Sequence, residues 1–118
     1  MTQLPMIPLA IPSIGEEERA NLNICVDEEM VSTVGRFVSQ FEKQIAEISS
    51  TPDAVAVAAG TMGLHIALVS LGVGPGDLVI LPSFTFIASA NAVSHSGAKP
   101  WLMDIDPSSW TLDPGVVR

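Results

Sequence analysis

The residues best suited to bind a ligand lie in two loops, each of which follows a strand-like run and opens a helix-like run. The first loop contains Gly60, Thr61 and Met62. Glycine lets the backbone turn tightly and approach a ligand closely. The N–H groups of Thr61 and Met62 at a helix start, with the Thr61 hydroxyl, can hold a phosphate without any basic side chain. Taken alone, such a turn is more often structural than functional, so both interpretations stay open.

The second loop presents an aromatic side chain at the head of a helix. Phe86 follows Pro82 and Phe84, directly after an apolar strand-like run. In that place its ring can offer a flat face to whatever occupies a pocket at the end of the strand. The alternative is that Phe84 and Phe86 are ordinary core residues.

Four further polar residues are weaker candidates. His65 comes four residues after the phosphate-type turn and is expected to point into the domain or toward the neighbouring helix rather than act as a base. His95, at a helix end, is interpreted as a capping or surface residue. Asp104 and Asp106 follow a strand, so they either orient polar groups near a ligand or stabilise a turn.

Alternating strands and helices must position these loops. Strands are predicted at Ala54–Ala58, Leu78–Leu81 and Lys99–Met103, with helices over Gly60–Leu71 and Thr85–Ser96. This βαβαβ order with short connections predicts an α/β fold in which parallel strands are flanked by helices. In such sheets ligands collect at the carboxyl ends of the strands, where both loops begin.

The first part of the chain lacks this alternation. Residues 15–30 have acids near the start of a helix-like run, residues 31–36 form a loop, and residues 37–50 form an amphipathic helix. We therefore predict two parts: a helical segment over 1–52 and the beginning of an α/β domain over 53–118.

Charge and cysteine content exclude several classes of function. The formal net charge is -8, and the five Lys and Arg residues are scattered, which argues against nucleic acid as a partner. The acids are concentrated at residues 16–18 and 27–29, where we expect a solvated helix surface and no metal site. One cysteine, Cys25, cannot form an internal disulfide, which favours a reducing compartment and thus the cytoplasm.

The apolar content is high for a domain that stands alone. Of the 118 residues, 47% are hydrophobic and 15% are charged. Residues 54–76 and 78–98 lack charged side chains and are long enough to span a bilayer, but Gly, Pro and polar residues interrupt both. We therefore expect no membrane span, and attribute the apolar surplus to surface that is covered by something absent from this sequence.

These loops and their neighbours together form a specific series of short motifs. The motifs are Gly15–Glu18, Ser32–Val38, Phe41–Glu42, Val55–Val57, Gly60–His65, Gly72–Asp77, Pro82–Phe86, Ala88–Ala92, Gly97–Pro100 and Asp104–Asp106. In order and spacing this series resembles the opening of the sugar aminotransferases of the DegT/StrS family. Residues 32–38 are most similar to the branch that acts on nucleotide-linked 4-keto sugars of the bacillosamine and legionaminic type.

The resemblance implies pyridoxal 5'-phosphate (PLP) as cofactor. It implies the amino-terminal part of a fold-type-I PLP-dependent transferase large domain, and a homodimer with active sites at its interface. In this family the backbone at Gly60, Thr61 and Met62 would hold the cofactor phosphate, and Phe86 would stack on the pyridine ring.

The resemblance also places the substrate near the loop before the amphipathic helix. Ser32, Thr33, Gly35 and Arg36 would lie near a nucleotide-linked keto-sugar, which receives an amino group from a donor such as glutamate.

The Schiff-base lysine that transamination requires is not among the matched positions. Lys43 lies on the polar side of an amphipathic helix, and Lys99 lies at the start of a strand, away from the ligand end. We therefore expect the catalytic lysine to lie beyond Arg118 and the isolated chain to be inactive. Two alternatives remain: a sugar dehydratase of the same family, in which histidine replaces that lysine, and a non-catalytic truncated domain for binding or interaction.

Overall fold

The computed structural model describes residues 6–32 and 35–117. The described residues divide into two compact units, with the boundary between Ala56 and Val57. In chain order the elements are α1 (Glu16–Asp27), α2 (Arg36–Ser49), α3 (Gly60–Ser70), β1 (Leu78–Pro82), α4 (Ile87–His95), β2 (Lys99–Met103) and a 3-10 helix (Pro114–Val117). The division predicted at residues 52 and 53 stays a prediction about the protein's domains.

In the first unit, α1 begins where acids meet the positive end of the helix. The Glu18 carboxylate accepts a hydrogen bond of 2.7 Å from the Gly15 N–H. Backbone N–H groups of Glu18 itself and of Gly15 hold the pKa of the Glu18 carboxyl below its ordinary range. The helix ends at Asp27, three residues earlier than predicted, because Glu29 takes a left-handed conformation with φ 57°.

The second helix of this unit is strongly amphipathic, as predicted. It begins at Arg36 and ends at Ser49, after which Ser50 is left-handed with φ 55°. The Thr51 N–H then donates to the Ala46 carbonyl at 3.0 Å, which satisfies a terminal carbonyl of the helix.

In the second unit, β1 and β2 form a parallel pair that α4 connects. The register runs from Leu78 opposite Lys99 to Pro82 opposite Met103, which confirms both strands and their parallel direction. Helix α4 packs on both strands and on α3. The buried core is Leu81, Val93 and Ala98, with Leu68, Val73, Val79 and Ala90 packed against it.

The predicted strand at Ala54–Ala58 is wrong for the described chain, so the observed order of the second part is αβαβ and not βαβαβ. A strand needs a hydrogen-bonded neighbour, and within the described ranges β1 and β2 pair only with each other. The Ala56 N–H donates instead to the Glu42 carboxylate at 2.9 Å. The sequence of Ala54–Ala58 does contain an apolar run, but the described chain contains no strand that pairs with it.

The turn that leads into β2 requires glycine at one position. Gly97 has φ 84°, and a Cβ atom there would lie 3.0 Å from Cγ and 3.1 Å from Cδ of Pro75. The left-handed backbone and the proline ring therefore both exclude a side chain.

Many large apolar side chains remain exposed in the described residues. They include Phe41 and Ile48 on α2, Ile80 on β1, and Trp101 and Leu102 on β2. The high apolar content of the sequence thus appears in the structure as apolar side chains exposed on the surface of each unit.

None of the helices in the described ranges combines the length and the apolar character that a membrane span needs.

Candidate functional site

The start of α3 offers backbone donors in the place that the sequence predicted. Ala59 precedes the helix in an extended conformation, with φ -159° and ψ 156°. Its carbonyl accepts hydrogen bonds from Met62 N–H at 3.0 Å and from Gly63 N–H at 3.2 Å. Among the described contacts, the N–H groups of Gly60 and Thr61 have no acceptor. The expectation that the Met62 N–H is unpaired is therefore wrong, because the first turn closes tightly on Ala59, and the free donors lie one position earlier.

Gly60 faces open space. A Cβ atom built at this position meets nothing within 4 Å, and its φ is outside the left-handed range. Neither backbone conformation nor packing within the described chain therefore requires glycine here. Glycine does leave the backbone here open to close approach by a ligand.

Thr61 is half-buried directly after this glycine, and its hydroxyl has no hydrogen-bond partner among the described residues. Two N–H groups and one hydroxyl, all without a hydrogen-bond partner among the described residues, thus lie at the positive end of an 11-residue helix, where a Cβ atom on Gly60 would meet nothing within 4 Å. This set of donors suits a phosphate group.

Phe86 lies immediately before α4, with φ -62° and ψ 139°, and 79% of its surface is exposed. Its carbonyl accepts from the Ser89 N–H at 3.0 Å, so the backbone is fixed while the ring stays free. Phe84 is also exposed but has an aromatic partner, since its ring meets Trp110 edge-on with centroids 5.3 Å apart. Neither phenylalanine is therefore buried by the described part of the chain.

The carboxyl ends of β1 and β2 lie side by side, since the Ser83 N–H continues the ladder to the Met103 carbonyl at 2.7 Å.

The two acids that follow β2, Asp104 and Asp106, stabilise turns of the backbone. Asp104 accepts from the Ile105 N–H at 2.8 Å, and Asp106 accepts from the Ser108 N–H at 2.7 Å. The Ser108 hydroxyl and the N–H groups of Ser108 and Ser109 hold the pKa of the Asp106 carboxyl below its ordinary value. Of the two interpretations of these acids, the structure supports the turn.

The two histidines meet each other. The ring of His65 on α3 contacts that of His95 on α4 edge-on, with centroids 5.8 Å apart. This agrees with the expectation that His65 points toward the neighbouring helix, and it places His95 at the surface end of α4.

The candidate substrate residues belong to the first unit. Ser32 is exposed, Gly35 precedes α2 with extended backbone, and Arg36 is the first residue of α2. The Arg36 guanidinium lies 3.1 Å from a carboxylate oxygen of Glu28. Thr33 lies outside the described residues.

Neither described lysine lies near these loops within its own unit. The Lys43 ammonium lies 4.0 Å from Glu47 on the exposed side of α2, as predicted. Lys99 pairs with Leu78 at the amino end of the sheet, about 13 Å from the carboxyl end of a five-residue strand at about 3.3 Å per residue.

Sequence reasoning missed two acids that contact the candidate segments. Glu28 pairs with Arg36, and Glu42 accepts from the backbone of Ala56. Neither pair lies within a single helix or strand, so the periodic patterns of the sequence could not have identified these contacts.

A cavity of about 430 Å³ in the first unit lies between α2 and the segment that follows it, and it contains none of the candidate residues. It is lined by Glu42, Lys43, Ala46, Glu47, Thr51, Pro52, Asp53 and Ala54.

Comparison with known proteins identifies relatives for nearly the whole chain. The model of the DegT/DnrJ/EryC1/StrS aminotransferase family matches residues 12–118. The GDP-perosamine synthase of Caulobacter vibrioides is 47% identical over 113 residues, which are 96% of this chain and 30% of that protein. The chain thus spans less than a third of the length of this relative.

Solved structures share the fold. The aminotransferase from Psychrobacter cryohalolentis superposes with a TM-score of 0.82 at 32% identity, over 96% of this chain and 28% of that one. Spr1654 from Streptococcus pneumoniae in its PLP form gives 0.80 at 31% identity, over 94% of this chain and 28% of that one. The predicted α/β fold, the amino-terminal part of a fold-type-I PLP-dependent transferase large domain, is confirmed.

Proposed function

The chain belongs to the DegT/DnrJ/EryC1/StrS aminotransferase family, and we propose that its full-length protein transfers an amino group from a donor such as glutamate to a nucleotide-linked keto-sugar. Relatives named as GDP-perosamine synthases, from Caulobacter vibrioides and Escherichia coli O157:H7, support a sugar linked to a nucleotide. Their names favour GDP as the nucleotide and an amino sugar as the product. Because the chain covers about 30% of these proteins, the activity belongs to the proposal.

The observation that carries the proposal is the start of α3. Gly60 and Thr61 offer two unpaired N–H groups over a region that no side chain of the described residues fills. We propose that these groups, with the Thr61 hydroxyl, hold the phosphate of PLP. The Met62 N–H is already bonded to Ala59 at 3.0 Å and can contribute only a shared, weaker contact.

Phe86 supplies the second part of the cofactor site in this proposal. Its ring is exposed at the head of α4, and the backbone that holds it is fixed by the Ser89 N–H. A ring held in this way can cover one face of a planar pyridine and exclude water from it. The cofactor, when bound, supplies an electron sink for the substrate carbon that exchanges its amino group.

The first unit would contribute substrate binding. We propose that Ser32, Thr33, Gly35 and Arg36 lie near the nucleotide-linked sugar, with the Arg36 guanidinium on an anionic group. A guanidinium is suited to this task because it remains charged and presents its N–H groups in a planar fork.

Assembly and compartment follow from the same proposal. We propose a cytoplasmic homodimer, in which residues 1–52 form a helical segment and residues 53–118 begin the cofactor domain. The exposed apolar side chains of α2 and β2 support burial against further protein. The free Cys25 supports a reducing compartment.

The test uses the full-length protein with PLP, glutamate and a GDP-linked keto-sugar, with mass spectrometry of the sugar product. Conversion of the keto group to an amine is expected, and release of water from the sugar without gain of nitrogen would show a dehydratase instead. Pure protein of residues 1–118 is the control and is expected to give no amino sugar, since Lys99 lies at the amino end of the sheet and Lys43 lies on the exposed side of α2. Amino transfer by this control would refute the assignment of the catalytic lysine to residues beyond Arg118.

A further inference from the structure

We propose that Glu28 is a positioning residue, which orients the Arg36 guanidinium toward the anionic part of the substrate. The inference rests on the proposed function, because it gives Arg36 an anionic substrate to bind. Its basis is the ion pair between the Glu28 carboxylate and Arg36 Nη2 at 3.1 Å, which joins the end of α1 to the start of α2.

The backbone on both sides of this pair is independently fixed. Glu29 is left-handed with φ 57°, and the Met30 N–H donates to the Cys25 carbonyl at 2.7 Å. The Met30 side chain packs next to Gly35, since its Cβ and Sδ are 3.4 Å from a Cβ built on Gly35. Glu28 and Arg36 therefore face each other across two segments of chain that are already in contact.

Arg36 lies at the amino terminus of α2, the end of a helix at which a cation is unfavourable. The amino terminus of a helix carries partial positive charge, and the first turn of α2 contains no acid that would offset it. Glu28 supplies the missing negative charge from outside the helix. The guanidinium also lies 5.2 Å from the centre of the Phe37 ring, which restricts it from a second side.

Orientation, rather than stability, is the main effect of this pair. Both side chains are about half exposed, with 49% for Arg36 and 45% for Glu28, and exposed ion pairs contribute little to the free energy of unfolding. The guanidinium has five N–H donors, and the contact with Glu28 is made through Nη2, so other donors remain for phosphate oxygens. A guanidinium that is already held in place loses less conformational entropy when the substrate binds, and this lowers the free-energy cost of binding.

The first variant for the test is Glu28→Gln in the full-length enzyme. It keeps the size of the side chain and removes its charge. We expect KM for the nucleotide-linked sugar to rise about three- to tenfold with kcat unchanged, because the contact serves binding equally before and during the reaction. The matched control is Asp27→Asn, which changes the net charge equally one residue away but removes no recorded ion pair, and its KM is expected to stay at the wild-type value.

The exchanged pair Glu28→Arg with Arg36→Glu separates positioning from structure. It restores an ion pair across the two segments but removes the guanidinium from position 36, so the melting temperature is expected to stay close to the wild-type value while KM stays high. Recovery of KM in the exchanged pair would show a purely structural contact and overturn the inference. Equal KM values for Glu28→Gln and Asp27→Asn would overturn it too. A wild-type enzyme that aminates no keto-sugar would instead overturn the proposed function, and this inference with it.

Discussion

Substitution of Gly60 by alanine separates cofactor binding from folding. A methyl group at this position meets no atom of the described chain within 4 Å, and the backbone there is not left-handed. Alanine is a better helix former than glycine by up to about 1 kcal/mol, with a smaller gain in the first turn. We therefore expect Gly60→Ala to leave the melting temperature of the full-length protein unchanged or slightly raised.

The same methyl group would project into the region where we propose the phosphate. It would displace that group from the N–H groups of Gly60 and Thr61, which are unpaired among the described contacts. Loss of one hydrogen bond to a charged group costs about 1.5–3 kcal/mol. At about 1.4 kcal/mol per factor of ten, the dissociation constant is expected to rise about 10- to 150-fold.

The assay is equilibrium titration of the full-length protein with the amine form of the cofactor, pyridoxamine 5'-phosphate, which binds without a covalent link. The matched control is Gly63→Ala in the same helix. Its methyl group would lie 3.5 Å from Cγ2 of Val57, an ordinary contact, and the Gly63 N–H is already bonded to Ala59. Wild-type affinity in Gly60→Ala, or an equal loss in both variants, would refute the assignment of the phosphate to the start of α3.

Three further predictions concern the second unit. Phe86→Ala is expected to weaken pyridoxamine 5'-phosphate binding about two- to twelvefold, because an aromatic contact contributes about 0.5–1.5 kcal/mol beyond its buried area. Phe84→Ala, which loses a Trp110 contact, should leave the affinity unchanged in the same titration. Gly97→Ala is expected to lower the free energy of unfolding by about 1–2 kcal/mol or more, because φ is 84° and Pro75 blocks the new methyl group, and urea denaturation measures this loss. The lowered pKa of Asp106 stabilises the fold above the ordinary carboxyl pKa of about 3.9, and this stabilisation is lost as pH falls through the lower folded value. Asp106→Asn should therefore flatten the acid side of the stability profile measured by thermal melts between pH 7 and pH 2, and an unchanged profile would contradict the turn role.

Elements with their own local signal were predicted well from the sequence. The strand Lys99–Met103 was predicted to the residue, and α2 and α3 were each predicted within one residue at both ends. These segments combine an apolar period with Gly or Pro at their limits, and both features act locally. Helix α4 begins two residues later than expected, because Phe86 keeps extended backbone before the first turn.

Features that depend on distant partners were not predictable. The strand at Ala54–Ala58 needs a neighbour, and the described chain gives its backbone a side-chain acceptor, Glu42, instead. The ion pair of Arg36 depends on the left-handed Glu29 that ends α1 early and turns the chain back. Left-handed conformation at a glutamate has no sequence signal, because this residue type rarely adopts it.

The candidate cofactor site could be proposed for this acidic chain because its donors belong to the backbone. A chain with a net charge of -8 repels anions at long range. A phosphate site made of basic side chains would need a local cluster of Lys and Arg, and the sequence would show that cluster. At the start of α3 the donors are instead the N–H groups of Gly60 and Thr61, which carry no net charge. The sequence indicates such a site only through two residue types at the start of the helix, the glycine at position 60 and the small hydroxyl residue Thr61. The hydrogen bond from the Met62 N–H to the Ala59 carbonyl depends on how tightly the first turn of α3 closes. The residue types in that turn do not determine this geometry.

The exposed apolar surface connects the fold to this site. In the second unit the core cluster is Leu81, Val93 and Ala98, and Ala92 is also buried, while Ile80, Trp101 and Leu102 on the two strands remain partly or largely exposed. A core of that size supplies little of the burial that offsets chain entropy. Burial of these strands against further protein would add to the apolar contacts that support the loops carrying Gly60 and Phe86. On the proposal that these loops hold the cofactor, we expect cofactor affinity to fall when that burial is reduced.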